Sequence, residues 1–129
     1  MIGRIILLID DEPDIHNLFE IALARYGENI IMKGAMSGEK GIEKYRELKM
    51  QGMKPSLVLM DIKMHDMNGI EATKRILGMD KEAKILAFTA FEDDKTAEEI
   101  ERAGAQGIIR KSENIRDVIN KIAEKLDKV

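Results

Sequence analysis

Strand-length apolar runs alternate with helix-length amphipathic segments from one end of this sequence to the other, and that alternation limits the fold more than any other feature. The strands read as about 4–9, 29–33, 56–60, 84–88 and 107–109. "RIILLI", "SLVLM" and "KILAF" are nearly continuous in apolar residues, the pattern of strands covered on both faces, which points to a parallel sheet. Ile15, Leu18, Phe19, Ala22 and Leu23 recur at i, i+3, i+4, i+7 and i+8, and Ile115, Val118, Ile119, Ile122, Ala123 and Leu126 form a second helical stripe. Pro13 suits a first helical turn, and Asn68 followed by Glu71 resembles a capping box opening a helix near residue 69. Segments 38–50 and 94–103 carry weaker helical patterns; Ala97, Ile100 and Ala103 are the apolar groups of the second, which reads as loosely held. Five strands alternating with five helices through right-handed crossovers predict a three-layer, doubly wound α/β fold, (βα)5. Ligands of such folds sit beyond the carboxyl ends of the strands.

The 129 residues suit one domain, taken as 1–129. No apolar run approaches the roughly 20 residues of a membrane span, and "MIGRII" lacks the parts of a secretory signal. The absence of cysteine removes disulfides, thiolate metal sites and cysteine nucleophiles, so a cytoplasmic location is expected. A net charge of −3 with interspersed signs, together with three Phe, two Tyr and no Trp, argues against a nucleic-acid surface. A membrane role is likewise not expected.

The expected strand ends carry unusual residues. The first runs into Asp10 and Asp11, the third ends in Asp61, the fourth in Thr89, and Lys111 follows the fifth. An acid after a strand is ordinarily a turn residue or a helix cap, and a lone Thr or Lys carries almost no signal. Their joint placement on one sheet edge is what distinguishes them. Three carboxylates a few ångströms apart repel one another by about 4 kcal/mol per pair at an effective dielectric near 20. A hard divalent cation relieves that repulsion, and Mg²⁺ characteristically takes one or two carboxylates, keeps water and leaves positions for phosphate oxygens. Asp10 and Asp11 are therefore candidate metal ligands, one directly and the other directly or through water. Asp61 then has a separate use, because an aspartate can act as a nucleophile towards phosphorus. Phosphoryl transfer asks a protein mainly for alignment and positive charge on the equatorial oxygens, roles open to Mg²⁺, the Lys111 ammonium and the Thr89 hydroxyl.

The motifs "LLIDDE", "LVLMDIKM", "MNG", "ILAFTA" and "GAQGIIRK", in this order and spacing over essentially the whole chain, resemble receiver domains of two-component response regulators. The resemblance implies a flavodoxin-like sheet in the strand order 2-1-3-4-5, which chemotaxis receivers share with flavodoxin. It further implies that Asp61 accepts a phosphoryl group from a sensor histidine kinase or a histidine phosphotransfer protein. Asp10, Asp11, Asp61 and the backbone carbonyl of Lys63 would hold Mg²⁺, Thr89 would be the switch hydroxyl, and Lys111 would contact the phosphate. The region 93–128 would bind a downstream target protein. Such a chain is not an enzyme in the usual sense. It is expected to act as a stand-alone regulator, monomeric or weakly dimeric, in chemotaxis or in a phosphorelay.

Several positions depart from the family pattern. Ile108 replaces the usual aromatic switch residue, and β-branching makes it stiff. Ser112 follows Lys111 where Pro is usual, so the bond is either trans or a strained cis bond. His65 stands where Pro is common and Asn68 where Asp is common. Lys63 and Phe91 lie two residues after Asp61 and Thr89, where family members tune phosphoryl lifetime; Phe91 is read as an apolar shield against water. His16 is expected on the surface of the first helix, and the nine methionines as fillers of core and loop gaps.

Rival readings are weaker. A haloacid dehalogenase-type phosphatase needs a general acid two residues after its nucleophile, where this chain has Lys63. "GAMSGEKG" is not a P-loop, and "DDEPD" would repel the phosphate of a flavin. A degenerate receiver that binds partners without phosphorylation draws some support from Ile108 and Ser112.

Overall fold

The computed structural model describes residues 3–26, 29–90 and 93–127. Its elements follow in the order β1 (Arg4–Ile9), α1 (Pro13–Tyr26), β2 (Ile30–Ala35), α2 (Gly38–Met50), β3 (Leu57–Asp61), α3 (Gly69–Met79), β4 (Ile85–Thr89), α4 (Asp94–Ala103), β5 (Gly107–Arg110) and α5 (Ile115–Asp127). The strands form one parallel sheet in the order β2-β1-β3-β4-β5. β2 runs past the expected end to Ala35. It pairs with the whole of β1, carrying Gly34 and Ala35 into the ladder opposite Leu8 and Ile9. Glycine has no side chain to continue an apolar run, and pairing there is through the backbone.

The continuous apolar runs are explained by two cores. Leu7, Ile9, Val58, Met60, Ile85 and Ala87 face one layer, with Ile42 and Tyr45 of α2, Ala72 and Ile76 of α3 and Ile100 of α4. Their neighbours Ile6, Leu8, Leu57, Leu59, Leu86 and Phe88 face the other, with Phe19 and Leu23 of α1 and Val118, Ile122 and Leu126 of α5. A strand buried on both faces has no polar alternation to show. No helix among the described residues is long and apolar enough to cross a membrane.

Local signals set the helix ends. Pro13 opens α1. Asn68 Oδ1 accepts from Ile70 N at 2.7 Å and caps α3, but Glu71 turns outward to Arg75 Nε (3.1 Å), so only half of the expected capping box forms. Asp93 caps α4 through Thr96 N at 2.7 Å, and Gly104, at φ 106°, ends it in the left-handed conformation that glycine adopts without strain. Those caps, with Ile100 and Ala103 buried, seat a helix expected to be loose.

The helical stripe of α1 is narrower than its spacing suggests. Phe19 and Leu23 are buried, Phe19 meeting Phe88 edge-on at 5.2 Å, whereas Leu18 is 43% exposed. Leu18 lines, with Ile21 and Tyr26, an open groove between α1 and α5 that Ile115 and Ile119 border from the other side. The methionines also divide. Met60 is in the core and Met64 and Met67 pack against it, but Met50 is 80% exposed at the end of α2 and fills no gap.

At the sheet end opposite the aspartates, Tyr45 Oη donates to Asp80 Oδ2 at 2.7 Å, and Lys54 Nζ lies 2.9 Å from the same oxygen. Burial opposes ionisation of Asp80, but the bonds from Lys54 and Tyr45 outweigh it and bring the carboxyl down to about 2. Tyr45→Phe is expected to cost about 1–2 kcal/mol in urea unfolding, the value of a bond to a carboxylate that keeps its lysine. An unchanged midpoint and slope would show that this bond contributes nothing.

Candidate acidic site at the carboxyl edge of the sheet

β1 and β3 are neighbours with Ile9 opposite Met60, so the residues that follow, Asp10 and Asp61, emerge side by side. Oxygens of Asp10, Asp11 and Asp61 lie within 4.8 Å of one another. Asp10 and Asp61 are buried, and Asp11 is partly so. β4 pairs with β3 and ends at Thr89, which is also buried and lies opposite Arg110 of β5. Lys111 N donates to Thr89 O at 2.9 Å and so fixes where the lysine leaves the sheet.

The Lys111 ammonium reaches back over Phe88, 5.5 Å from the ring centroid, to lie 3.0 Å from Asp10 Oδ2, 3.4 Å from Glu12 Oε1 and 3.5 Å from Asp61 Oδ1. Burial would discharge this lysine, yet Asp10 foremost, then Asp61 and Glu12, hold its pKa above the ordinary value. Asp61 is the opposite case. Its desolvation, reinforced by the negative charge of Asp10 and only partly offset by Lys111, pushes its pKa up to about 7.

Asp61 Oδ2 is buried and accepts no hydrogen bond, and the equally buried Asp10 Oδ2 has the Lys111 ammonium beside it at 3.0 Å. Buried carboxylate oxygens of this kind, with a third carboxylate beside them, form an all-oxygen donor set that fits a hard divalent cation such as Mg²⁺. Neither sulfur nor nitrogen belongs to this three-residue cluster.

The loop from Ile62 to Asn68 carries Lys63, whose side chain is exposed. Hydrogen bonds along its length hold this loop. Gly69 N donates to Ile62 O (2.8 Å), His65 N to Asp11 Oδ2 (3.0 Å), and Asp66 accepts from Gly38 N and Glu39 N (3.2 Å each) at the start of α2. Asn68 adds the α3 cap. Burial works against the Asp66 charge, but those backbone donors prevail and lower its pKa. The Lys111–Ser112 bond is trans, as no cis peptide occurs among the described residues. Phe91 lies outside those residues.

Sequence reasoning missed several participants. His16 is half-buried, not a surface side chain: its Nε2 lies 2.7 Å from Asp10 O, and since a carbonyl only accepts, that nitrogen carries the proton. The ring lies against Gly34, where an added Cβ would fall 2.7 Å from His16 Nδ1. Gly34 lies beyond the strand expected to end at residue 33, so the close approach that a strand glycine signals became visible only when β2 was seen to reach Ala35. Glu12, Phe88 and Asp66 carried no such sign, because each acts on a group distant in sequence or through its own main chain; His65, in the loop after Asp61, could be read as within reach of the site but also as an ordinary loop histidine.

The sequence matches the response regulator receiver domain family over residues 6–123. It is 31% identical over 125 residues to the chemotaxis protein CheY of Thermotoga maritima, covering 95% of this chain and 99% of that one. To the response regulator GacA of Pseudomonas viridiflava it is 32% identical over 121 residues, covering 91% of this chain but 52% of the relative. The crystal structure of the response regulator TrrA of Thermotoga maritima in complex with Mg²⁺ and a beryllium fluoride superimposes with a TM-score of 0.78 at 28% identity, over 95% of this chain and 98% of that one.

Proposed function

Because this chain belongs to the family of response regulator receiver domains, we propose that Asp61 is its phosphoryl acceptor, loaded from the phosphohistidine of a sensor kinase or of a histidine phosphotransfer protein. The observation that carries this reading is the gathering of Asp10, Asp11, Asp61 and Lys111 at adjoining strand ends, with Asp61 buried. An Asp61 oxygen attacks phosphorus, the phosphorus–nitrogen bond of the donor breaks, and the imidazole leaves with the bonding electrons, taking a proton from solvent. The product is an acyl phosphate on Asp61.

Asp10, Asp11, Asp61 and the Lys63 carbonyl are the groups that would hold Mg²⁺. When bound, the ion supplies positive charge to the oxygens of the transferring group. Lys111 supplies a second positive charge and needs no long movement, since it already lies between Asp10 and Asp61. Thr89, at the end of the neighbouring strand, is suited to donate its hydroxyl to a phosphoryl oxygen and so to report loading to β4 and α4.

Output is read as altered binding of a target over 93–128. The support is a groove of about 520 Å³ whose lining includes Asp93, Ala97, Ile100, Ile108, Arg110 and Lys121. Ile108 is half-buried at its floor. A receiver that binds partners without phosphorylation is the second reading, favoured by Ile108 in place of an aromatic switch. We read residues 1–129 as one such unit, cytoplasmic, and regulatory in the manner of the family.

The test is incubation with acetyl phosphate and Mg²⁺ followed by intact-mass measurement. Wild type is expected to gain one phosphoryl group, and to gain none after chelation or with Asp61→Asn. No adduct on wild type would leave the second reading; equal labelling of the variant would move the acceptor elsewhere.

A further inference from the structure

Asp10 stands just past the end of β1, where its main chain is held on both sides. Its N–H still belongs to the sheet and donates to Ala35 O at 3.1 Å. Its carbonyl lies beyond the last ladder pair, Ile9 with Ala35, and a buried carbonyl without a strand partner needs another donor. His16 is that donor, through Nε2 at 2.7 Å from the start of α1. The imidazole reaches the carbonyl because the strand beside it carries a glycine. A Cβ on Gly34 would fall 2.7 Å from His16 Nδ1 and 3.0 Å from Cε1, so the ring occupies space that any other residue there would fill. The carboxyl group of Asp10 is held in turn: Glu12 N donates to Oδ1 at 2.9 Å, and Oδ2 faces the Lys111 ammonium at 3.0 Å.

Resting on the reading above that the three aspartates hold a divalent cation, we propose that His16, wedged between Gly34 and the Asp10 carbonyl, is a positioning residue that sets the affinity of the cation site. The carbonyl it holds belongs to the peptide that joins Asp10 to Asp11, two of the three carboxylate residues of the cluster. A peptide moves as one rigid plate, so a single hydrogen bond to its oxygen constrains ψ of Asp10 and φ of Asp11 together. An aspartate has only two side-chain torsions beyond the main chain, and its oxygens therefore follow any turn of that plate. If the carbonyl had to find another donor, both carboxylates would move. His16 acts on the site through the main chain, as the outer partner of a metal ligand does, and Gly34 is the wall that keeps the ring in place.

The first measurement needs no metal. In heteronuclear NMR of the full chain, a slowly exchanging proton on His16 Nε2 is expected, and Gly34→Ala is expected to abolish it by pushing the ring off the carbonyl. The second is calorimetric titration with Mg²⁺ at fixed pH. His16→Leu, which fills the space of the ring without a donor, and Gly34→Ala, which keeps the histidine but displaces it, are each expected to weaken Mg²⁺ binding at least about tenfold, since loss of a partner that orients a metal ligand costs roughly 10–100-fold. His16→Gln, whose amide nitrogen takes the place of Nε2, is expected to keep the affinity. The double variant His16→Leu with Gly34→Ala is expected to bind no more weakly than His16→Leu alone, because the same bond is lost only once. Gly34→Ala meets only the far end of a side chain, so it is expected to fold even if His16→Leu does not. Melting temperatures that fall while Mg²⁺ affinity holds would make the bond merely structural and overturn the proposal. So would additive losses in the double variant, a glutamine variant that fails to bind, or no protected Nε2 proton in wild type. A wild type that shows the proton but takes no Mg²⁺ at millimolar concentration would overturn the three-aspartate reading itself, and the proposal with it.

Discussion

In a chelating buffer, wild type is expected to melt at progressively lower temperature as the pH rises from about 4.5 to 7.5, and Asp61→Asn is expected to lose that slope. The sign follows from the carboxyl of Asp61, whose pKa stands at about 7 in the folded chain against an ordinary 3.8. In that interval the folded chain retains a proton that the unfolded chain has released, so each rise in pH favours unfolding. The contribution is fully developed above about pH 7 and absent below about pH 4, where other carboxylates, Asp80 among them, begin to titrate. A shift of this size corresponds to about 2–4 kcal/mol, and the amide, which has no charge to bury, is expected to stabilise the metal-free protein by that order at neutral pH. Saturating Mg²⁺ should raise the wild-type melting temperature and flatten its pH dependence, because an ion bound to the folded state alone stabilises it and favours the ionised carboxylate. Thermal melts at several pH values, with chelator and with Mg²⁺, decide the matter. Parallel profiles for wild type and variant would mean that Asp61 is not strained. Diverging profiles would make the proposed acceptor a residue whose removal stabilises the metal-free fold, the trade expected where a site stores unfavourable charge.

Gly69→Ala is expected to be the most damaging single-methyl addition at this site. A Cβ there would fall 2.0 Å from Asp61 O and 2.8 Å from Ile62 Cα. Both are main-chain atoms and cannot swing aside as a flexible side chain could. Either the first turn of α3 retreats, breaking the Gly69 N to Ile62 O bond of 2.8 Å, or the acceptor strand shifts. Overpacking of this kind costs about 3 kcal/mol or more. For a domain of this size that lowers the melting temperature by about 10 °C. Labelling by acetyl phosphate should fall as well, since the atoms displaced are those of Asp61 itself. Gly78→Ala on the same helix is the control. Its Cβ would meet nothing within 4 Å, so it should stabilise by about 0.5–1 kcal/mol through helix propensity alone. Equal effects of the two substitutions would sink the argument, as would a Gly69→Ala protein that melts like wild type.

These two expectations arise at different distances from the sequence. The sheet could be read from three apolar runs because residues buried on both faces need no polar alternation, and the alternating helices then left few topologies. The acidic site was legible for a related reason: Asp10, Asp11, Asp61, Thr89 and Lys111 each stand at or just beyond a strand end, and a parallel sheet brings all such ends to one edge. Helix faces were less legible. Leu18 has the spacing of a core residue, but spacing gives only an angle around the helix axis, and how much of that angle is covered depends on how closely α5 and the sheet approach.

Residue type and spacing thus settled the fold class and the five polar groups at or just beyond the strand ends, because hydrophobic burial acts on local periodicity. Folding alone brought His16 to the Asp10 carbonyl, Phe88 beneath Lys111, Asp66 to the start of α2 and His65 to Asp11. Each of these joins groups far apart in the chain or uses a backbone atom. A pattern of side-chain types along a linear sequence cannot encode a distance between main-chain atoms that meet only after the sheet has closed.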